Sequence, residues 1–213
     1  MKKSILGLMA LFAITTSYSQ TEQGKMFIGG QVNVSGTTTS YSDSLFKSSS
    51  KSNSITITPT FGYFVQNNLA IGANVTLTYN GTKNTDEKTN STSNSTSLGY
   101  GIGGFVRYYS DITDKFKFFL RGSVSILNSE SKYTAAFQKD QDYVTNTLTL
   151  SIVPGFVYFV TPKFGLETTF GNLNFSSSLR KDKEVSYDNH YVTQNYGLNL
   201  NLSTLNFGLC YYF

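Results

Sequence analysis

His190 is the single histidine of the chain, and Ser186 and Asp188 stand four and two residues before it. A hydroxyl, an imidazole and a carboxylate are the groups of acyl transfer and ester hydrolysis. The imidazole takes the hydroxyl proton and the acid orients the imidazole. That chemistry needs fixed geometry, and here all three residues fall in one polar stretch at roughly 179–195. No element is read there to hold them, so no catalytic residue is expected. Asp43, Asp86, Glu87, Asp140, Asp142, Asp182 and Glu184 are likewise gathered in polar stretches, at spacings that match no calcium loop. A single cysteine, Cys210, excludes an internal disulfide and a Cys-rich metal site. Neither a metal nor another cofactor is expected.

Four charges instead interrupt otherwise uncharged, alternating text. Arg107, Arg121, Glu167 and Lys117 all fall on the polar side of their segments. Arg107 precedes a short link, Lys117 and Arg121 follow the same link, and Glu167 follows the next one. If the segments form one closed sheet, the four meet inside it at similar depth, as an ion network that blocks the lumen. An unpaired charge there is costly, so Glu167 is expected to be a structural plug rather than a selectivity residue.

The elements that hold these residues follow from a period of two. Eight segments alternate apolar and polar residues, at about 26–34, 55–65, 69–79, 98–108, 116–126, 148–160, 164–175 and 198–213. In the second, Ile55, Ile57, Phe61 and Tyr63 oppose Thr56, Thr58, Thr60 and Gly62. In the seventh, the apolar parity changes after Phe170, which predicts a bulge near Gly171. A similar slip is expected near Ser203 in the eighth.

Long polar connections, roughly 36–53, 81–96, 128–146 and 179–195, alternate with short ones at Gln66 to Asn68, Ser110 to Lys115 and Thr161 to Lys163. Seven connections in strict long–short order predict an all-β fold, an eight-stranded antiparallel up-and-down transmembrane β-barrel. Short turns on the inner side and longer loops outside are the rule for such barrels. Tyr63, Tyr108, Phe116, Tyr158, Phe164 and Tyr211 stand beside the short links or the chain end. A ring of aromatics at one height suits a membrane–water interface.

Composition agrees. Charged residues are 14% and aromatics 15%, against about 25% charged in soluble domains. The mean hydropathy of −0.19 is too low for a helical membrane protein. A barrel reconciles the two, because only alternate residues meet lipid. The formal charge of +4 is modest, and no basic cluster with interleaved aromatics suggests a nucleic-acid partner. Residues 1–19 read as a signal peptide, with Lys2 and Lys3 before an apolar stretch from Ile5 to Thr15. Ser17-Tyr18-Ser19 then predicts cleavage before Gln20, leaving 20–213 as the barrel.

Asn206, Gly208, Tyr211 and Phe213 resemble the assembly signal of outer-membrane proteins: a polar residue, a glycine two on, then two hydrophobics ending in a terminal aromatic. The whole mature chain resembles the small outer-membrane β-barrel domain family, which includes OmpX-like proteins and the OmpA membrane domain. The hairpin Phe61-Gly62-Tyr63-Phe64-Val65 to Asn68-Leu69-Ala70-Ile71-Gly72 carries part of that likeness. The resemblance implies insertion by the barrel-assembly machinery and contact with outer-membrane lipid and lipopolysaccharide. It also implies roles in membrane integrity, adhesion or defence, and it brings no catalytic residue. The leading expectation is a non-enzymatic structural or surface-interaction protein with four polar external loops. The alternatives are a narrow pore, an accessory subunit of a larger outer-membrane complex and, last, a lipid A-modifying enzyme.

Overall fold

The computed structural model describes residues 20–43, 47–86, 91–135, 141–183, 190–200 and 205–213. Residues 1–19, expected to be a signal peptide, and Glu87, Asp140, Glu184, Ser186, Asp188 and Ser203 lie outside the described residues. Ten β-segments follow one another: β1 (Met26–Ser42), β2 (Lys47–Gln66), β3 (Leu69–Asp86), β4 (Ser91–Thr113), β5 (Phe116–Ala135), β6 (Gln141–Thr161), β7 (Phe164–Phe170), β8 (Asn172–Asp182), β9 (His190–Asn199) and β10 (Leu205–Tyr212). β7 and β8 are two halves of one barrel strand, and β9 and β10 of another. The result is an eight-stranded antiparallel barrel that closes where Phe27–Gln31 of β1 pair with Gly208–Tyr212 of β10.

The break expected near Gly171 is present, and the slip expected near Ser203 falls outside the described residues. Gly171 takes a left-handed backbone, φ 62°, between β7 and β8. A Cβ there would lie 2.4 Å from the Asn199 carbonyl oxygen, so a glycine is needed on both counts. Phe170 pairs with Leu205, but Asn172, two residues on, pairs with Asn199, six residues back. The β8–β9 and β7–β10 registers therefore differ by four residues.

Alternation gives the barrel two unlike faces. Outward residues such as Ile28, Ile57, Val75, Ile102, Val124 and Ile152 are between 43% and 68% exposed. Soluble monomers rarely show a continuous apolar surface of this kind. A belt of Ile, Val, Leu, Phe and Tyr around a closed sheet requires a lipid surround, and closure pairs the backbone groups that lipid would leave unsatisfied.

The long connections differ from expectation. They are not loops but β-hairpins: pairing continues up to Ser42–Lys47 in the first, Asp86–Ser91 in the second, Tyr133–Gln141 in the third and Lys181–His190 in the fourth. Cross-strand polar contacts support them, among them Ser52–Thr82 at 2.6 Å, Ser54–Asn80 at 2.6 Å, Ser131–Ser97 at 3.0 Å and Thr147–Ser178 at 2.9 Å. Above the lipid belt both faces of the sheet meet water. The apolar signal of period two vanishes there while the strand does not. Beyond Gln31, β1 is paired only with β2 among the described residues.

Candidate functional site

Aromatic residues come in adjacent pairs at the turn end of the barrel, and a strand sends the two members of a pair to opposite faces. Tyr63, Tyr108, Tyr158 and Tyr211 point outward, each between 41% and 58% exposed. Phe164 is also outward and exposed, and Phe116 is half-buried. Their partners Phe64, Tyr109, Phe159 and Tyr212 point inward and are buried with Phe27, Phe105 and Phe119. The inward rings form a continuous cluster: Phe27 lies 5.3 Å from Tyr212 and 5.8 Å from Phe64, and Tyr109 lies 5.8 Å from Phe119. An interface ring accounts only for the outward set. The signal for the buried set was the doublets themselves, since alternation forces the second ring inside.

Arg107 sits on this cluster. Its guanidinium carbon is 4.5 Å from the ring centre of Phe119, 5.1 Å from Phe27 and 5.4 Å from Phe105. Nη1 donates to Glu167 Oε1 at 2.6 Å and to the Tyr109 hydroxyl at 3.0 Å. The Tyr212 hydroxyl donates to the same carboxylate oxygen at 3.2 Å. Arg107 and Glu167 are both buried. The pair and the rings and phenol hydroxyls that hold it come from five strands, β1, β4, β5, β7 and β10.

The other two charges are placed differently from the expected network of four. Arg121 is the direct cross-strand partner of Arg107. It makes no hydrogen bond or ion pair among the described residues, and its Nε is buried without a partner. Lys117 does not join the group at all. Its ammonium binds Asp111 and donates to Thr21 Oγ1 at 2.9 Å. The reason is depth: Lys117 is four residues nearer the turn than Arg121, and Phe119, on the same face, fills the space between them.

A second layer lies below the rings. The segment before β1 runs across the turn end, where Thr21 is fully buried. Asn68 N donates to Thr21 O at 2.8 Å, Gly24 N to Phe64 O at 2.9 Å and Gln23 N to Asn67 Oδ1 at 2.9 Å. Asn68 takes φ 63°, the left-handed conformation that asparagine tolerates in a tight turn.

Of the assembly-signal residues, Tyr211 and Phe213 face outward with rings stacked 6.1 Å apart, and Gly208 faces the lumen. Asn206 lies in β10 opposite Thr169 of β7. Phe213 exchanges backbone hydrogen bonds with Met26, N to O at 2.8 and 2.9 Å, and so binds the chain end to the start of β1. His190 opens β9, at the far end of the fourth hairpin and remote from the lumen floor. The open end of the barrel holds a recess of about 420 Å³ lined by Thr39, Tyr41, Ser48, Asn84, Asp86 and Tyr133. Among the described residues no group of three potential metal ligands is present.

The described charges and rings form a packed floor under a cup of hydroxyls and amides. Comparison with known proteins gives the setting. A family model described as the outer membrane protein beta-barrel domain matches residues 4–213. No curated protein matches the chain. Among solved structures, Neisserial surface protein A is similar at 17% identity, covering 90% of this chain and all of that one, with a TM-score of 0.43. The transport unit of the autotransporter AIDA-I from Escherichia coli is similar at 15% identity, covering 92% and 67%, TM-score 0.45. A major outer membrane protein from Thermus thermophilus is similar at 10% identity, covering 88% and 99%, TM-score 0.43.

Proposed function

The chain belongs to the outer-membrane β-barrel domain family and is an integral protein of the outer membrane, and from that premise we propose that it is a non-enzymatic, non-conducting barrel that displays four polar hairpins at the cell surface. The observation that carries this reading is the lumen floor. Arg107 and Glu167 form a buried ion pair inside a cluster of seven rings, closed again from below by Thr21 and Asn68. Eight strands leave an interior just wide enough for side chains to fill. Here large side chains fill the inner half, which favours a structural or surface-interaction role over a pore.

The hairpins suit such a role. They are paired strands rather than loose loops, and they carry Ser, Thr, Asn and Lys outward. Outer-membrane lipid and lipopolysaccharide are the surroundings of the belt, and the barrel-assembly machinery is the partner implied for insertion. Docking to a larger outer-membrane complex is the second reading, since a hairpin edge pairs readily with another strand. Co-purification from native membranes tests the role. Wild-type protein should retain a surface or membrane partner that is lost when the hairpins are trimmed to the belt. Altered lipid A mass in a deletion strain, restored by the wild-type gene and not by a His190→Ala variant, would instead make the protein an enzyme.

A further inference from the structure

The lumen holds more donors than acceptors. Among the described residues, four buried side-chain polar atoms lack a hydrogen-bond partner, and three are nitrogens: Gln31 Nε2, Arg107 Nε and Arg121 Nε. The charges are unequal as well. Arg107 and Arg121 stand opposite each other on β4 and β5, and the only buried carboxylate beside them, among the described residues, is Glu167. That carboxylate already accepts from Arg107 and Tyr212. Lys117 is neutralised by Asp111 and takes no part. Two guanidiniums therefore share one carboxylate, and the one not hydrogen bonded to it, Arg121, keeps a buried Nε without a partner, which is unfavourable unless a further acceptor is supplied.

We infer that Arg121 is the floor of a binding site for a small oxyanion, a carboxylate or phosphate group, entering from the open end of the barrel. The geometry suits that class. A guanidinium presents Nε and one terminal nitrogen side by side, and two oxygens of one planar or tetrahedral anion take both. An idle Nε is what such a ligand satisfies. Ser123, two residues above Arg121 on the same face, is hydrogen bonded to Ser151 at 2.7 Å, and these hydroxyls border the approach. Arg121 is not sealed off: it and Ser123, Ser125, Leu127 and Ser129 above it all keep partial exposure. The inward residues flanking this path on β4 and β6 are Gly103, Gly101, Gly99, Ser151, Thr149 and Thr147, none of them charged. Arg121 is thus the charge an incoming anion meets at the bottom. The inference stands apart from the surface role proposed above, because it concerns the inner wall rather than the hairpins.

The test uses the full barrel refolded in a sugar-headgroup detergent, free of phosphate. Inorganic phosphate and acetate are titrated while the Arg121 Nε–Hε resonance and the unfolding midpoint are followed. A saturable shift of that resonance with a rising midpoint is expected. Affinity should fall about tenfold or more in Arg121→Gln, the cost of losing one charge-assisted pair. Arg121→Lys, which keeps the charge but not the two-nitrogen edge, should bind with intermediate affinity and guards against a folding defect in the first variant. A parallel sample in a phosphate-headgroup detergent separates the sources. A shift there without added salt, and none with free phosphate, assigns the site to lipid headgroups. No saturable response in either medium, or an equal response in Arg121→Gln, overturns the site and leaves the idle donors to water.

Discussion

Arg107 and Arg121 face each other directly across the β4–β5 ladder, both toward the lumen, and share the neighbourhood of one carboxylate. Like charges at paired positions repel, so Glu167 has a structural duty beyond its own ion pair. Glu167→Ala leaves two guanidiniums uncompensated. It should lower the unfolding free energy by about 3–5 kcal/mol, the usual cost of removing one partner of a buried pair. Urea unfolding in lipid vesicles reads this out. Glu167→Gln should fall between, because the amide oxygen still accepts. An unchanged midpoint in Glu167→Ala would mean the pair holds nothing together.

The ring cluster can be tested by adding single methyl groups. A Cβ on Gly62 would meet the Phe27 ring at 2.3 Å, and one on Gly155 the Phe119 ring at 2.4 Å. Either alanine variant should lose about 1–3 kcal/mol through overpacking. Gly122 faces outward with nothing within 4 Å of a Cβ. Gly122→Ala should be neutral or gain about 0.4–1 kcal/mol, since alanine restricts the unfolded chain. Equal effects at all three positions would contradict a packed floor.

Phe213 joins the chain end to Met26 through two backbone hydrogen bonds and stacks on Tyr211. Closure of β10 against β1 spans only five residue pairs before that. Deleting Phe213 should reduce the folded, heat-modifiable band on gels of outer-membrane fractions. A truncated chain that accumulates at the wild-type level would remove Phe213 from assembly.

Topology follows from the aromatic ring and the short turns. In a Cys210→Ser background, Thr38→Cys on the first hairpin should react with a membrane-impermeant thiol reagent on whole cells. Asn67→Cys at the first short turn should react only after the outer membrane is opened. The reverse pattern would turn the barrel over. Cys210 itself is buried, so background labelling is expected to be low.

The barrel was legible because lipid imposes a rule on every other residue. Ile55, Ile57, Phe61 and Tyr63 could be read as one face without knowing any contact. Even the shift at Gly171 was visible, as a change of parity between Phe170 and Leu173. The hairpin ends were not legible, because Thr37, Thr38, Ser50 and Lys51 are polar on both faces of the sheet and carry no apolar period. At the site, parity brought Arg107, Arg121 and Glu167 to the same side but could not tell which would pair. That was decided by depth and packing. Phe119 separates Lys117 from the others, and Glu167 is hydrogen bonded to Arg107 and not to Arg121. Asp111 and Thr21, which capture Lys117, sit in segments that look like ordinary turn and leader remnant.

The central claim is that the lumen is closed by Arg107, Glu167 and the rings around them. Purified protein in planar bilayers tests it most directly. The wild-type barrel should give no steady channel. A barrel in which Arg107, Glu167 and Tyr109 are all replaced by alanine, shown to be folded by heat-modifiable mobility, should conduct through the space they vacate. Steady, ion-selective conductance in the unmutated protein would contradict the closed floor and make the barrel a pore.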